Sequence, residues 1–218
     1  MNERHAMRVV LMAVALWVAA ASLGGCAPQK RLDQEALRLK ALKLNDEAAA
    51  LLPEKPGKAL RLLEEAERTR PGLAPVQNNA GLCLLLQDKY FEAAVAFKRA
   101  ATLDPTDPRP LYNLGLTFER ATNWEVASDY YEQALKLDPE DVHACENLIR
   151  VYVKLGRPRS EVASLARRAL LKEMRPEWIA WLSRYAEADA SAAPNAEPSP
   201  AVPPPADGQA TPVLPEER

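Results

Sequence analysis

The chain predicts an all-α fold, a solenoid of antiparallel helix pairs, on three observations. Pro71, Pro105 and Pro139 stand 34 residues apart. Ala59, Ala93 and Ala127 lie twelve residues before them, and Ala66, Ala100 and Ala134 lie five before. Gly81 and Gly115 keep the same period. A fixed period in this range marks stacked repeats rather than one closed globule. The small residues let two helices approach closely, the aromatics Phe97, Phe118 and Tyr131 fill the space beside them, and the proline stops the second helix.

The elements follow in chain order. Residues 1–25 read as a leader: Arg4 and Arg8 supply a positive start, and Val9 to Leu23 is uncharged and mostly apolar. Small residues then end the run, as in a secretory signal that is removed. Leu23-Gly24-Gly25-Cys26 resembles the lipobox of bacterial lipoproteins. That resemblance implies a diacylglyceryl group on Cys26, cleavage just before it and further acylation, palmitate included, of the new amine. Several acyl chains anchor stably where one would be marginal. The alternative, an ordinary membrane-spanning anchor, needs roughly 20 apolar residues, and the run is at the short end of that. Ala27 after the cysteine implies, by analogy with enterobacterial lipoproteins, the periplasmic face of an outer membrane. Residues 26–31 are expected to be the lipidated N-terminus and a short linker, and 32–187 the solenoid.

The copy between Pro105 and Pro139 reads Leu111-x2-Leu114-Gly115-x2-Phe118, then Ala127-x3-Tyr131, Ala134 and Pro139. The copy before it reads Ala80-Gly81-x2-Leu84, Ala93-x3-Phe97, Ala100 and Pro105. Both resemble the tetratricopeptide repeat. Three to four copies are expected, with looser outer ones, because a terminal repeat has one face on solvent or a cap. In the first copy Ala59-x3-Leu63 and Ala66 remain, while Glu47 stands at the glycine position. In the fourth, Leu148 and Tyr152 remain, Ile149 replaces the glycine, and one extra residue precedes Ala169. Pro176 opens a last helix with Trp178, Trp181, Leu182 and Tyr185 on one face. It is read as a cap over the fourth repeat, with an aromatic docking patch as the alternative. Residues 188–218 are about half alanine and proline, without an aromatic residue, and net acidic. This composition predicts a disordered tail. It serves as a spacer or, through Pro200-Ala-Val-Pro203, as a polyproline ligand.

The net charge of −2 gives no electrostatic case for nucleic acid. Cys83 and Cys145 fall on first helices two repeats apart and are expected to be buried free thiols, beyond disulfide reach. Beyond the leader His143 is the single histidine, so His–His metal sites are excluded there. It is given a helix-start role beside Asp141. There is no phosphate loop, Cys-x-x-Cys pair or nucleophile elbow. The chain therefore predicts no catalytic residue, no metal and no cofactor.

The resemblance to tetratricopeptide proteins implies a concave groove lined by the first helices. Matching the register places Asn78, Leu82, Leu85 and Leu86 there from one repeat. The next contributes Arg109, Tyr112, Leu116, Glu119 and Arg120, and the fourth contributes His143, Glu146, Arg150 and Lys154. The groove would run from apolar to mixed and more basic, and so suit an amphipathic helix or extended peptide with acidic groups. Asn79, Asn113 and Asn147 recur at the same period and are read as structural. The expected function is a membrane-anchored adaptor or scaffold lipoprotein holding a protein partner, in assembly of an envelope machine such as a pilus or secretion system. The alternatives are an adaptor for cell-wall enzymes and an accessory subunit of an envelope enzyme.

Overall fold

The structure, a computed structural model, describes residues 26–187, with side-chain surroundings from residue 29 on. The leader at 1–25, the Cys26 side chain and the tail at 188–218 lie outside the described residues. Nine helices and no strand occur among the described residues. They are α1 (Cys26–Leu51), α2 (Pro56–Thr69), α3 (Ala74–Leu85), α4 (Tyr90–Leu103), α5 (Arg109–Arg120), α6 (Trp124–Leu137), α7 (Val142–Lys154), α8 (Arg159–Leu170) and α9 (Pro176–Ala186). Each packs on the next in sequence, and the first helices of successive pairs, α1, α3, α5 and α7, also touch in turn. The result is an antiparallel helix-pair solenoid with one continuous core.

The repeat signature explains how the helices begin and end. The second helices α2, α4 and α6 stop two residues before Pro71, Pro105 and Pro139. The residues directly before those prolines, Arg70, Asp104 and Asp138, are extended, with φ of −146°, −135° and −125°. A proline ring clashes with a helical residue before it, so the punctuation follows from sterics. Pro56, Pro75, Pro110 and Pro176 sit in the first turn of their helices, where a missing N–H costs nothing. The turn inside each of the last three pairs is closed by a residue at positive φ, again 34 residues apart. These are Asp88 (57°), Thr122 (60°) and Gly156 (64°).

Within a pair, glycine sets the helix spacing. A Cβ on Gly81 would lie 2.6 Å from Phe97 Cε1, and one on Gly115 would lie 2.6 Å from Tyr131 Cδ1. Both rings are fully buried. The fourth pair solves the same problem the other way round. Its extra residue brings Ala166 to the register position of Tyr131, while Ile149 holds that of the glycine, and both are wholly buried. Bulk has moved from the second helix to the first. In the first pair, Glu47 is exposed, and α1 meets its neighbours through Ala41 and Ala48, with Leu52 buried just beyond its end. The glycine position is thus not needed for close approach there.

One boundary differs from expectation: α1 begins at Cys26, so the supposed linker at 26–31 is helical. Gln29, Lys30 and Arg31 are good helix formers, and Pro28 falls in the first turn, where a missing N–H costs nothing. At the other end, α9 covers α8 and buries Trp178, Trp181, Leu182 and Tyr185. Those aromatics pack edge to face, with ring centres 5.5 Å apart for Trp178–Trp181 and 5.0 Å for Trp181–Tyr185. The docking-patch alternative falls, because neither tryptophan is available to a partner. Cys83 and Cys145 are free and buried. Burial pushes the Cys83 thiol up to about 12.

Candidate protein-binding face

The first helices are joined by a ladder of buried amides. Asn79 Nδ2 donates to Asn45 Oδ1 at 2.9 Å, and Asn113 Nδ2 donates to Asn78 Oδ1 at 3.0 Å. Asn147 Nδ2 donates to the hydroxyls of Tyr112 (2.9 Å) and Tyr131 (3.3 Å). Buried polar groups are nearly always paired, and each rung crosses from one repeat to the next, so the ladder fixes repeat register, although Asn113 Oδ1 accepts no bond. Asn45 is the member that sequence reasoning missed. Its signal was present, since 45, 79, 113 and 147 keep the 34-residue period. The first copy lacks the glycine, and that hid it.

Two charged clusters extend the ladder. Glu119 accepts from Arg150 Nε and Nη2 (2.9 and 2.7 Å) through one oxygen and from the Tyr131 hydroxyl (2.7 Å) through the other. Burial pushes the Tyr131 phenol well up, and the Glu119 charge adds to this. Further along, Arg175 Nη2 holds both Glu146 Oε1 and Glu173 Oε2 at 2.7 Å. His143 Nδ1 lies 3.5 Å from Glu146 Oε2. The bonds from Arg175 hold the Glu173 carboxyl down at about 2, whereas burial pushes that of Glu146 up. Bonding to Glu146 raises the His143 imidazole.

These contacts correct the expected groove. Leu82, Leu85, Leu116 and Tyr112 are at most 2 % exposed and pack between helices. Asn78 is buried as a rung of the ladder, and Glu146 is buried as the ligand of Arg175. The reason is that first helices touch one another, so positions outside the packing signature still fall between them. The apolar trough is therefore core. What reaches solvent is Leu86, Arg109, Arg120, Arg150 and, in part, Glu119, all half-buried, with His143 and Lys154 exposed. Leu86, Arg120 and Lys154 are equivalent residues of three repeats, as are Arg109 and His143 of two. The helix-start role given to His143 belongs to Asp141, whose Oδ1 accepts from the Ala144 N–H at 3.1 Å.

A second concavity, not foreseen, lies among α6, α7 and α8. It is a 480 Å³ cleft with Leu135, Leu148 and Leu165 on its walls. Its Glu132 and Tyr152 bond to each other at 2.8 Å. Among the described residues, no cluster of three or more His, Cys, Asp or Glu could hold a metal ion. No described helix is long and apolar enough to cross a membrane.

Comparison with known proteins matches this geometry. The sequence patterns of the tetratricopeptide repeat fit residues 54–108 and 108–141, so the central repeats belong to that family. Over 79 residues the chain is 35 % identical to BBSome complex member BBS4 of Xenopus tropicalis, covering 36 % of this chain and 15 % of that protein. The chain thus spans less than a fifth of the length of that curated relative. Among solved structures, the fold resembles Pseudomonas aeruginosa pilF, with a TM-score of 0.61 and 22 % identity over 79 % of this chain and 81 % of that one. It also resembles YrrB, described as a tetratricopeptide-repeat protein with an unusual peptide-binding site. There the TM-score is 0.54 at 18 % identity over 73 % of this chain and 83 % of that one.

Proposed function

We propose that this tetratricopeptide-repeat protein is a lipid-anchored adaptor of the bacterial envelope that binds an extended protein segment along its first helices. Repeats of this kind are interaction scaffolds and generally contribute no chemistry. The observation that carries the reading is the periodic row Leu86, Arg120 and Lys154, one residue per repeat on a face whose interior is fixed by the amide ladder. A segment laid across it meets an apolar side chain first and cations afterwards, with Arg109 and His143 as a second, parallel row. A partner with an apolar residue followed by carboxylates fits that order. The peptide-binding site ascribed to YrrB supports a peptide as the kind of ligand.

The leader and Cys26 support lipid anchoring, and the layout of acylated cysteine, repeats and proline-rich tail supports a place in assembling an envelope machine such as a pilus or secretion system. Photoreactive groups at Leu86 and Lys154, crosslinked in cells and followed by mass spectrometry of the adducts, test the reading. Pilus or secretion subunits are the expected capture, whereas cell-wall enzymes would move the adaptor to a different machine. Absence of any specific adduct from both positions would remove the proposed face. A Cys26→Ala chain should stay an unprocessed precursor or leave the membrane. If it is processed and bound like the parent, the anchor is not at Cys26.

A further inference from the structure

Helix α1 is twice as long as its repeat requires. From Ala41 onward it packs, with Ala41, Asn45 and Ala48 inside, but every residue from Gln29 to Lys40 is exposed. A helical segment of about 12 residues without tertiary contacts is marginal in water, so this overhang needs a partner to hold it. Its chemistry indicates which. Along the overhang Lys30, Arg31 and Arg38 line a cleft of 1140 Å³ together with Arg70 from just after α2. The one carboxylate in that lining, Glu35, already accepts from Arg38 at 3.1 Å. Four cations are thus gathered on a chain whose net charge is −2.

Leu32 and Leu39, 65 % and 58 % exposed, lie seven residues apart and share one flank of the helix. Arg31 and Arg38, also seven apart, run on the next flank round, with Glu35, already paired with Arg38, between the two rows. An apolar strip edged by cations suits an interface where an acyl phase meets anionic headgroups, a joint use of both features that an aqueous anion would not make. The position along the chain agrees. Lys30 follows Cys26 by four residues, about 6 Å along a helix. Acyl chains on Cys26 would therefore bring Lys30 and Arg31 within reach of the headgroups, and anionic lipid would then draw the helix onto the surface.

We infer that the overhang of α1 is a membrane-surface element, in which Lys30, Arg31, Arg38 and Arg70 take the phosphates of anionic phospholipids while Leu32 and Leu39 enter the interface. The inference rests on the reading of Cys26 as the anchored residue. Polybasic segments beside a lipid anchor work in this way, and their attraction fades with salt.

The test uses the full processed chain, reconstituted in vesicles of phosphatidylcholine alone or with about one third phosphatidylglycerol. An environment-sensitive fluorophore goes on Leu32→Cys, since Cys83 and Cys145 are buried. The expected result is a blue shift in the anionic vesicles only. It should be reversed by salt, and Lys30→Glu with Arg31→Glu and Arg38→Glu should weaken it about tenfold or more. These side chains touch no core residue, so circular dichroism should be unchanged. Equal emission in both lipid mixtures, or indifference to the charge reversals, would overturn the inference. So would a concentration-dependent shift without vesicles, because a second copy would then be the cover. The mass of the Cys26 peptide reads the anchor separately. If Cys26 is unmodified the anchor reading is lost, and sedimentation of the same chain with anionic but not neutral vesicles would still sustain the cationic surface.

Discussion

At the scale of single residues, the fold turns on a few positions where size or backbone angle leaves no choice. Gly81 is one. Alanine there would gain roughly 1 kcal/mol in helix propensity, but its Cβ would meet the Phe97 ring at 2.6 Å. That ring is wholly buried and cannot retreat into solvent. Overpacking of this kind costs about 1–3 kcal/mol, so the clash wins and Gly81→Ala should lower stability. Urea unfolding should show this, and Phe97→Leu should cost less in the Gly81→Ala background than alone, because the two residues share one space. An unchanged or raised midpoint would remove glycine from its spacing role. Thr122 is the opposite case. A β-branched residue at φ 60° is strained, and its equivalent in the next repeat is already Gly156. Thr122→Gly should therefore stabilise the chain by about 1 kcal/mol, the low end of such strain. A loss of stability would mean that the threonine side chain contributes more than its backbone costs.

Helices and their joints decide a different set of outcomes. Helix α9 is fastened by Arg175, which bridges Glu146 of α7 and Glu173 of the preceding loop, with His143 and Asp141 beside them. Without a charge on His143 the buried cluster has two carboxylates for one guanidinium. Its imidazole is raised above the ordinary 6.5, so its contribution is fully present below 6.5 and is lost as pH rises through the raised value. Glu173 works in the other direction. Its contribution is present above 4.5 and is lost as pH falls toward about 2. Burial raises the Glu146 carboxyl, so ionising it opposes docking on the alkaline side as well. Hydrogen exchange of residues 176–186 should be slowest in mildly acidic buffer and quicken as pH rises above 6.5, once corrected for intrinsic rates. His143→Gln should flatten that rise. A parent and variant with the same pH profile would show that the clasp does not depend on the imidazole. None of this was legible in the sequence, where His143 and Glu146 read as groove residues. The period, the proline stops and the cap helix were legible because each depends on local sterics and spacing. The groove was not, because exposure depends on how closely neighbouring first helices approach, which no single repeat encodes. The fourth pair shows the same limit: Ile149 looks like a lost glycine until the extra residue is counted, which puts the small Ala166 at the register position of the aromatic.

At the scale of the whole molecule, the decisive property among the described residues is that each helix meets only those next to it and, for first helices, the matching helix of the adjoining pair. Stability in such a chain is a sum of local terms and nearest-neighbour interfaces, so it must grade from the middle to the ends. The central pairs α3–α4 and α5–α6 have neighbours on both sides and carry the glycine–aromatic contacts. At one end α9 closes the core with two tryptophans and a tyrosine, whereas at the other α1 runs on past its last contact into solvent. The two ends should therefore behave differently, although both are terminal. In hydrogen exchange of the chain in detergent-free buffer, amides of α4 and α5 should be protected most and α9 less. Residues 29–40 should exchange within about a factor of ten of an unfolded peptide, because a helix without packing opens at almost no cost. Adding vesicles with anionic lipid should slow exchange in 29–40 and leave the central repeats unchanged, since a nearest-neighbour chain does not pass a terminal contact inward. Protection of 29–40 in buffer equal to that of α5 would contradict this picture. It would require a surface covering the overhang before any membrane is present, and the exposed row of Leu32 and Leu39 would then belong to an interface between copies of the chain.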